Sequence, residues 1–553
     1  MNKLEYDKIK SYGQKWFILP VVSAILVIAT LPPIKIWWLC FICLVPIYLF
    51  TRISDTYPWK RTALGGFLFG IIFTAFILSL TVLQFHWVEE TYLFTELIRI
   101  SSLFILIFIG IFASFQILLL RLLKSQNAVA HIFYAAGCWT FSEWCTHKMM
   151  FSIEYSIIGY PAHNTTFASL AQYGGVYMTI FAIALINMSI GSILYYLIKR
   201  SNRSCSTEVH KLDEKNIKRS IAVLFFCIAG ALVLHELTII KIEKEKSTNE
   251  KSSIDVSLIQ DQDKTESPFG EEKTDTQTGE TYFSFPRLQK LVLEAQKDQI
   301  KPQIIIYPFA PWNGAITEKK NKNLFNKKVI ATDFETFSNW TKLYIKKDNI
   351  FVTWNTTYRD TLFYNEIHFW KNGVLIGYSQ KKLLFPFLDY TPMFSQKLGM
   401  YTTPIDSSPG SSTLETLLYD RSIGTLVCSE VTHPIQTTNA ADKDLIFAIG
   451  SEALFSSGGA GEFNLGNTVY RAIENNTPII RANRLGPSAI VDNNGNIQAE
   501  LAFGKEGVLH GTVEVPHKSD TTPFERNGQD IFITILLIST FALYYKNRKP
   551  LDF

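Results

Sequence analysis

The residues with the clearest chemical potential in this sequence lie around one cysteine, Cys428. It follows a short apolar run, Ile423–Val427, and is followed by Ser429 and Glu430. A continuous apolar run of this length is typical of a buried strand, so the thiol is expected at the strand's carboxyl end. No other cysteine occurs beyond residue 227. The pattern predicts either a nucleophile or the more common alternative, a buried structural thiol.

A thiol that attacks an acyl group needs a base to remove its proton and a positive or N–H-rich pocket for the oxyanion. The backbone N–H of Ser429 is a candidate for the oxyanion pocket, and Lys381 is a candidate for the positive charge. Most lysines instead lie on the surface. The segment after the predicted strand Ile304–Tyr307, from Pro308 to Trp312, contains no carboxylate. The residues alone therefore do not identify the base.

These side chains are carried by a predicted α/β domain at residues 256–520. Apolar runs bounded by turn residues predict nine strands, and longer periodic segments predict three helices. The Asn-Gly pair that ends at Gly495 predicts a hairpin turn, because this dipeptide tolerates positive φ. The predicted strands are Val256–Gln260, Ile304–Tyr307, Ile350–Thr353, Ile367–Trp370, Val374–Tyr378, Ile423–Val427, Leu445–Ile449, Ile479–Ala482 and Ala489–Val491, and the predicted helices span 285–297, 333–348 and 464–475.

Long apolar segments dominate the rest of the chain. Hydrophobic residues make up 47% of the 553 residues, which suits a membrane domain attached to a sizeable soluble part. Most of the segments are long enough, or nearly so, to cross a hydrocarbon core of roughly 30 Å. They lie at about 17–31, 34–50, 63–84, 101–123, 129–146, 175–198, 217–238 and 530–545. The predicted order is a transmembrane domain of seven helices at 1–238, a solvated linker at 239–255, the α/β domain and a transmembrane helix at 528–546.

Basic residues occur mainly in alternate connections between these segments. The second, fourth and sixth connections and the C-terminal tail are rich in lysine and arginine, whereas the third connection carries Glu89, Glu90 and Glu96. Basic connections face the cytoplasm. The pattern therefore predicts eight transmembrane helices with both termini in the cytoplasm and the α/β domain outside it.

The composition argues against several kinds of partner. The formal net charge is only +4, and no basic run alternates with aromatic residues, so nucleic-acid binding is not expected. Cys40 and Cys43 lie within an apolar segment and have no matching set of histidines or cysteines. We therefore expect no metal site and no cofactor.

Several motifs follow one another along the chain. They are Ile158-Gly-Tyr160, Ala171-Gln172, Gly174-Gly175, the pair Trp139 and Glu143, the run from Tyr378 to Asp389, Val427-Cys-Ser-Glu430, Arg471-Ala-Ile-Glu474 and the run from Arg481 to Ala489. In this order they resemble the apolipoprotein N-acyltransferase family, a membrane-bound branch of the carbon–nitrogen hydrolase (nitrilase-like) superfamily. The resemblance covers nearly the whole chain and implies an αββα sandwich for the soluble domain.

The resemblance also implies a mechanism and its partners. In this family a cysteine, here Cys428, takes an acyl chain from a phospholipid as a thioester, and a lysine, here Lys381, stabilises the negative charge. The acyl chain then passes to the N-terminal α-amine of a diacylglyceryl-modified apolipoprotein. The implied location is the bacterial inner membrane, with the catalytic domain on the periplasmic side.

One family position departs from the pattern. The general-base glutamate of the family falls on Phe309, whose phenyl ring cannot accept a proton. Asp389 and Glu430 match supporting carboxylates of the family and are the preferred substitute bases, with Glu452 as a third carboxylate close in the motifs. Three functions stay open at this point. They are an active N-acyltransferase, a catalytically impaired or repurposed relative that binds lipid or lipoprotein, and an amidase, against which the predicted helices argue.

Overall fold

The structure is a computed structural model of the 553-residue chain. It describes residues 16–53, 58–80, 92–123, 125, 127–149, 158–201, 207–248, 251–262, 271–274, 281–284, 286–297, 299, 301–308, 315–317, 332–359, 361–386, 388–397, 406–414, 417–452, 458–518 and 521–547. These residues belong to two compact units. Residues up to 240 and from 526 onward form a helical unit, and residues 241–525 form an α/β unit.

The helical unit is built from apolar helices of very different lengths. They are α1 (Ile18–Thr30), α2 (Val45–Ile53), α3 (Trp59–Leu80), α4 (Tyr92–Leu122), α5 (Ala128–Met149), the short α6 (Ala171–Gly174), α7 (Val176–Ser201), α8 (Thr207–Thr248) and the C-terminal helix Pro523–Asn547. Within the described residues, each of the eight predicted apolar segments overlaps a helical stretch of this unit, although 34–50 is only partly helical.

Five helical stretches are long and apolar enough to cross a membrane. They are Trp59–Ser79, Leu103–Leu122, Val176–Ser201, His210–Lys241 and Pro523–Asn547. Ile18–Thr30 and Trp37–Ile53 are shorter apolar helices, and α5 buries polar side chains such as Glu143, which accepts a hydrogen bond from Trp139 Nε1 at 2.6 Å. The count of eight membrane spans therefore stays a prediction.

The segment predicted as a linker, 239–255, is mostly regular structure. Helix α8 continues to Thr248, because the lysines and glutamates after residue 240 are good helix formers and no proline or glycine interrupts them. The first strand of the α/β unit begins at Lys251, five residues before the predicted domain boundary. It pairs with a distant strand near the end of the domain, a partner that the local sequence does not show.

The α/β unit contains two main sheets and four helices among its described residues. The strands are β1 (Lys251–Gln260), β2 (Glu271–Thr274), β3 (Thr281–Ser284), β4 (Ile304–Tyr307), β5 (Ala315–Thr317), β6 (Thr332–Asp333), β7 (Ile350–Arg359), β8 (Leu362–Lys371), β9 (Val374–Gln380), β10 (Ile423–Val427), β11 (Leu445–Ser451), β12 (Ile479–Arg484), β13 (Ser488–Val491), β14 (Ile497–Leu501) and β15 (Gly507–Pro516). The helices are α9 (Pro286–Ala295), α10 (Phe334–Tyr344), α11 (Met393–Lys397) and α12 (Gly459–Asn475).

The first sheet has the order β15-β1-β4-β7-β5-β6, with β8 beside β7 and β9 beside β8, and the second has the order β10-β11-β12-β13-β14. One apolar core joins side chains of both sheets, and the rings of Phe369 and Phe447 meet in it with centroids 6.2 Å apart. A second core packs α9 and α10 on the other face of the first sheet. Helix α12 packs on strands of the second sheet. The layers are thus helix, sheet, sheet and helix.

All nine predicted strands and all three predicted helices are present. Most strands extend beyond their predicted ends, and the hairpin after β13 forms as expected, with Gly495 at a φ of 82°. The prediction missed β14 and β15, whose side chains are mostly only half-buried or exposed. It also missed the short strands β2, β3, β5 and β6. Apolar runs identify buried strands far better than strands with one solvent-facing side.

Candidate active site

The candidate nucleophile lies at the carboxyl edge of the second sheet. Strands β10, β11 and β12 are parallel, with Val427 paired to Ile449 and Ile449 paired to Ala482. Cys428 directly follows β10, and Glu452 directly follows β11. Because the carboxyl ends of parallel strands meet at one edge of a sheet, this arrangement brings together side chains that are far apart in sequence.

Cys428 has a strained backbone. Its φ of 52° lies in the left-handed region, which costs a residue other than glycine about 1–3 kcal/mol. This left-handed conformation turns the chain from the buried end of β10 into a short 3₁₀ turn, Cys428–Thr432. The Cys428 side chain stays half-buried, whereas Val427 before it is sealed in the core. The thiol is thus presented at the sheet edge and is not a sealed core cysteine.

Lys381 is fully buried and paired. It follows β9, and its Nζ lies 2.6 Å from Asp389 Oδ2. Asp389 Oδ2 also accepts a hydrogen bond from the backbone N–H of Phe385 at 2.6 Å, while Asp389 Oδ1 accepts one from Asn365 Nδ2 at 2.8 Å. Asp389 therefore fixes the ammonium group and has both of its oxygens engaged.

Glu430 connects the nucleophile turn to the lysine loop. Its Oε1 accepts hydrogen bonds from the backbone N–H groups of Lys382 and Leu383 at 2.8 and 3.0 Å, and its Oε2 accepts one from Val427 at 2.9 Å. Only 1% of Glu430 is exposed. Burial raises the pKa of Glu430, against these three donors, which favour the charged form. The geometry indicates a structural carboxylate that fixes the turn after Cys428 against the loop after Lys381.

The protonation states of the central pair follow from burial and charge. Burial raises the pKa of the Cys428 thiol above its ordinary value, although the Lys381 ammonium and the backbone N–H of Ser429 lower it. Burial lowers the pKa of Lys381, but the negative charges around it, chiefly Asp389, outweigh this effect and raise it overall. At neutral pH the lysine is charged and the thiol is protonated. A nucleophilic Cys428 therefore needs a base.

A second polar cluster surrounds Glu452. Its Oε1 accepts hydrogen bonds from Asn464 Nδ2, Arg481 Nη2 and Asn483 Nδ2 at 2.8, 2.9 and 3.1 Å. Arg481 is buried, and its Nε donates to the carbonyl of Pro487 at 3.2 Å. This cluster brings residues of β12 and α12 to the end of β11.

The structure brings four of the predicted site residues together. Cys428, Lys381, Asp389 and Glu430 form one connected group, with the N–H of Ser429 beside the Cys428 sulfur. Phe309 lies outside the described residues, so its predicted place at the base position is not tested. In the part of the chain that is described, no group of three or more histidines, cysteines or carboxylates is arranged to hold a metal ion.

Sequence reasoning missed Asn365. It lies on β8, two residues before the predicted start of that strand, and it orients the carboxylate that holds Lys381. A polar residue in a buried strand position is a usable signal, because buried amides need partners. The predicted strand was too short for Asn365 to be placed on the inner face of the sheet.

Two family models match the chain. Residues 23–189 match the apolipoprotein N-acyltransferase N-terminal domain, and residues 287–517 match the carbon-nitrogen hydrolase family. Together they cover the helical unit from α1 to the middle of α7 and the α/β unit from α9 to the end of β15. The order of the two regions agrees with the order of the motifs in the sequence.

Several curated relatives are apolipoprotein N-acyltransferases. The one from Geobacter metallireducens is 33% identical over 151 residues, which are 26% of this chain and 28% of the relative. The one from Caulobacter vibrioides is 30% identical over 180 residues, 30% of this chain and 32% of the relative. The matched region thus spans about a third or less of the length of these relatives.

The solved structures that resemble the chain include a CN-hydrolase superfamily protein from Xanthomonas campestris. The alignment covers 52% of this chain and 97% of that protein, with 16% sequence identity and a TM-score of 0.32. A second one is the nitrilase-superfamily protein Nit3 of Saccharomyces cerevisiae, with 16% identity, a TM-score of 0.32, and coverage of 48% of this chain and 90% of that protein.

Proposed function

We propose that this chain, with its apolipoprotein N-acyltransferase N-terminal region and its carbon–nitrogen hydrolase region, is a membrane-bound acyltransferase of lipoprotein maturation. It takes an acyl chain from a phospholipid as a thioester on Cys428 and transfers it to the N-terminal α-amine of a diacylglyceryl-modified apolipoprotein. The names of the curated relatives support the class of acceptor. The phospholipid donor rests on the resemblance and on the apolar helices that precede and follow the α/β unit in the sequence.

One observation carries this proposal. Cys428 is half-buried in a strained turn beside the buried ammonium group of Lys381. The Lys381 Nζ lies 2.6 Å from its carboxylate partner, Asp389. A buried positive charge next to a thiol lowers the free energy of the thiolate and of the oxyanion that forms during acyl transfer. A structural cysteine gains nothing from a buried ammonium group, because the desolvation of the charge costs several kcal/mol.

The chemistry proceeds in two acyl transfers. The Cys428 sulfur attacks the carbonyl carbon of the phospholipid ester, the ester C–O bond breaks, and a lysophospholipid leaves. The amine of the acceptor then attacks the thioester, the C–S bond breaks, and the amide product forms with the free thiol. The Lys381 ammonium and the N–H of Ser429 are the groups placed to stabilise the oxyanion in both steps.

The α/β unit acts on the extracytoplasmic side of a bacterial inner membrane in this proposal. The basic residues of the alternate connections support this orientation. A single cysteine introduced at position 300 into a chain with Cys428 and the other cysteines replaced should react with a membrane-impermeant maleimide in intact spheroplasts. Labelling of that cysteine only after the spheroplasts are lysed would place the α/β unit in the cytoplasm instead.

The proposal is tested by trapping the thioester. The purified full chain in phospholipid vesicles that carry a labelled acyl chain should gain label, and hydroxylamine at neutral pH should release it. Cys428→Ala should gain none, and Cys428→Ser serves as a matched control because it tests whether a stable ester replaces the labile thioester. Absence of label from the unaltered chain would instead support the reading as a lipid-binding relative without acyl transfer.

A further inference from the structure

The site contains more than one carboxylate, but most of their oxygens are already occupied. Asp389 uses one oxygen for Asn365 and the other for Lys381 and the N–H of Phe385. Glu430 uses both oxygens for backbone N–H groups. A base must have a lone pair within reach of the proton that it removes. In the two carboxylates preferred from the sequence, every oxygen already accepts at least one hydrogen bond, so neither has an oxygen without a donor.

Glu452 differs from both. All three of its hydrogen bonds, from Asn464, Arg481 and Asn483, fall on Oε1. The other oxygen, Oε2, accepts no hydrogen bond from the described part of the chain, and it is not a fully buried atom. One oxygen of Glu452 is therefore anchored, whereas the other has no hydrogen-bond donor in the described part of the chain.

The end of β11, which carries this carboxylate, lies against the nucleophile turn. A Cβ atom built on Gly450 of β11 would lie 3.4 Å from the Cα of Cys428, so the ends of β10 and β11 are in contact at this point. Side chains two positions apart along a strand project to the same face. Glu452 comes two residues after Gly450, directly beyond the end of β11, so we infer that it projects to the side of the sheet on which Gly450 adjoins Cys428. The carboxylate charge also raises the pKa of the Cys428 thiol, as expected for neighbours.

We propose that Glu452 is the base that accepts the Cys428 proton, and that Arg481, Asn464 and Asn483 are positioning residues that hold it by its other oxygen. This inference rests on the proposed acyl transfer and assigns its proton acceptor. It explains how the chain could work with a phenyl ring at position 309, where the family resemblance places a carboxylate.

Glu452 alone can take up and return the proton that each of the two steps requires. Glu452 Oε2 takes the thiol proton as the sulfur attacks the phospholipid ester, and the resulting carboxylic acid gives it to the departing lysophospholipid oxygen. In the second step Glu452 takes a proton from the attacking amine and returns it to the departing Cys428 sulfur. No further acid, base or co-reactant is needed.

Glu452→Gln separates the role of base from that of anchor. The amide oxygen of glutamine can still accept from Asn464, Arg481 and Asn483, while its NH₂ group replaces the open oxygen and cannot accept a proton. We expect thioester formation to slow by about 100-fold or more, the range found for the loss of a general base. Glu462→Gln is the matched control, since it removes a carboxylate from the same helix that carries Asn464 and should leave the rate unchanged.

A second measurement distinguishes a base from a merely structural residue. Removal of the Glu452 charge lowers the pKa of Cys428, so alkylation of Glu452→Gln by iodoacetamide should begin at lower pH than in the unaltered chain. Slower acyl transfer together with a more easily formed thiolate is the signature of a lost base, because a disordered site would not lower the thiol pKa selectively. Glu452→Asp keeps the charge, so it should slow acyl transfer without this shift in the alkylation profile.

The outcomes distinguish failure of this inference from failure of the proposed function. An unaltered chain that forms the thioester, with Glu452→Gln forming it equally fast, would overturn the assignment of Glu452 alone. If the unaltered chain gains no acyl chain from phospholipid, p-nitrophenyl palmitate replaces the phospholipid as acyl donor. The initial burst of nitrophenol then measures formation of the Cys428 thioester. A burst that Glu452→Gln lacks would then support the base, and a burst of equal rate in both, or no burst in either, would overturn it.

Discussion

Replacing Asp389 by asparagine should leave the Lys381 ammonium group buried without its counter-charge. The two groups are 2.6 Å apart, and their side chains are 1% and 9% exposed. With an effective dielectric constant of about 20, two unit charges at this distance attract by roughly 6 kcal/mol. Desolvation offsets part of this attraction, but the loss of one partner from a buried pair typically costs about 3–5 kcal/mol. We expect Asp389→Asn to lower the free energy of unfolding by about 3–5 kcal/mol.

The same change should reverse the pH dependence of stability. In the unaltered chain the pKa of Lys381 is raised, so its contribution is complete below the unfolded value of about 10.4 and is lost as the pH rises through the folded pKa. Without Asp389, burial dominates and the folded pKa falls below the unfolded value. The variant should then become more stable as the pH rises from its lowered folded pKa to the unfolded value of about 10.4, a range in which the unaltered chain gains nothing from Lys381.

Urea unfolding of the detergent-solubilised full chain, followed by tryptophan fluorescence, measures both effects. The control is the double variant Lys381→Met/Asp389→Asn, which removes both charges and should recover much of the lost stability, because a neutral pair carries no uncompensated charge. An Asp389→Asn variant as stable as the unaltered chain, or a double variant no more stable than the single one, would refute the reasoning.

The other predictions concern the neighbours of this pair. Glu430→Gln should lower the midpoint of urea unfolding by an amount that corresponds to about 1–3 kcal/mol, because an amide NH₂ group would face a backbone N–H; an unchanged midpoint would argue against a structural carboxylate. Alkylation of Cys428 should begin only at a pH above that of an ordinary thiol and at a still higher pH in Lys381→Met, since the ammonium lowers the thiol pKa; a profile that does not move would show that Lys381 does not act on the thiol. Lys381→Ala should form no detectable thioester, and trapping at the unaltered rate would exclude a role in acyl transfer. Phe309→Glu should bring no gain in thioester formation if Glu452 already supplies the base, whereas a large gain would show that the chain lacks one.

Much of the fold could be predicted from local patterns. The apolar run Ile423–Val427 is a strand with the predicted bounds, because every residue in it is buried and its pattern depends little on distant partners. The apolar segments coincide with helices for the same reason. By contrast, β15 was missed and β1 was predicted too short, since each owes its length to antiparallel pairing with the other across more than 240 residues.

The candidate site residues also came from the sequence. The thiol at the end of a buried strand and the lysine at 381 were identified from residue type and motif, and the fold brings them together. Motif spacing could not show which carboxylate is free. Asp389 and Glu430 were preferred because of their sequence positions, but their oxygens are used by Lys381 and by backbone N–H groups.

The tertiary structure alone decided which donors surround these carboxylates. Whether an oxygen can accept a proton depends on which donors surround it, and those donors come from β8, β12, α12 and loops that are distant in sequence. The pKa of Cys428 likewise depends on its burial and on charges from other strands. Residue types and local order thus determine which groups are available, whereas long-range packing determines which of their oxygens are engaged in hydrogen bonds.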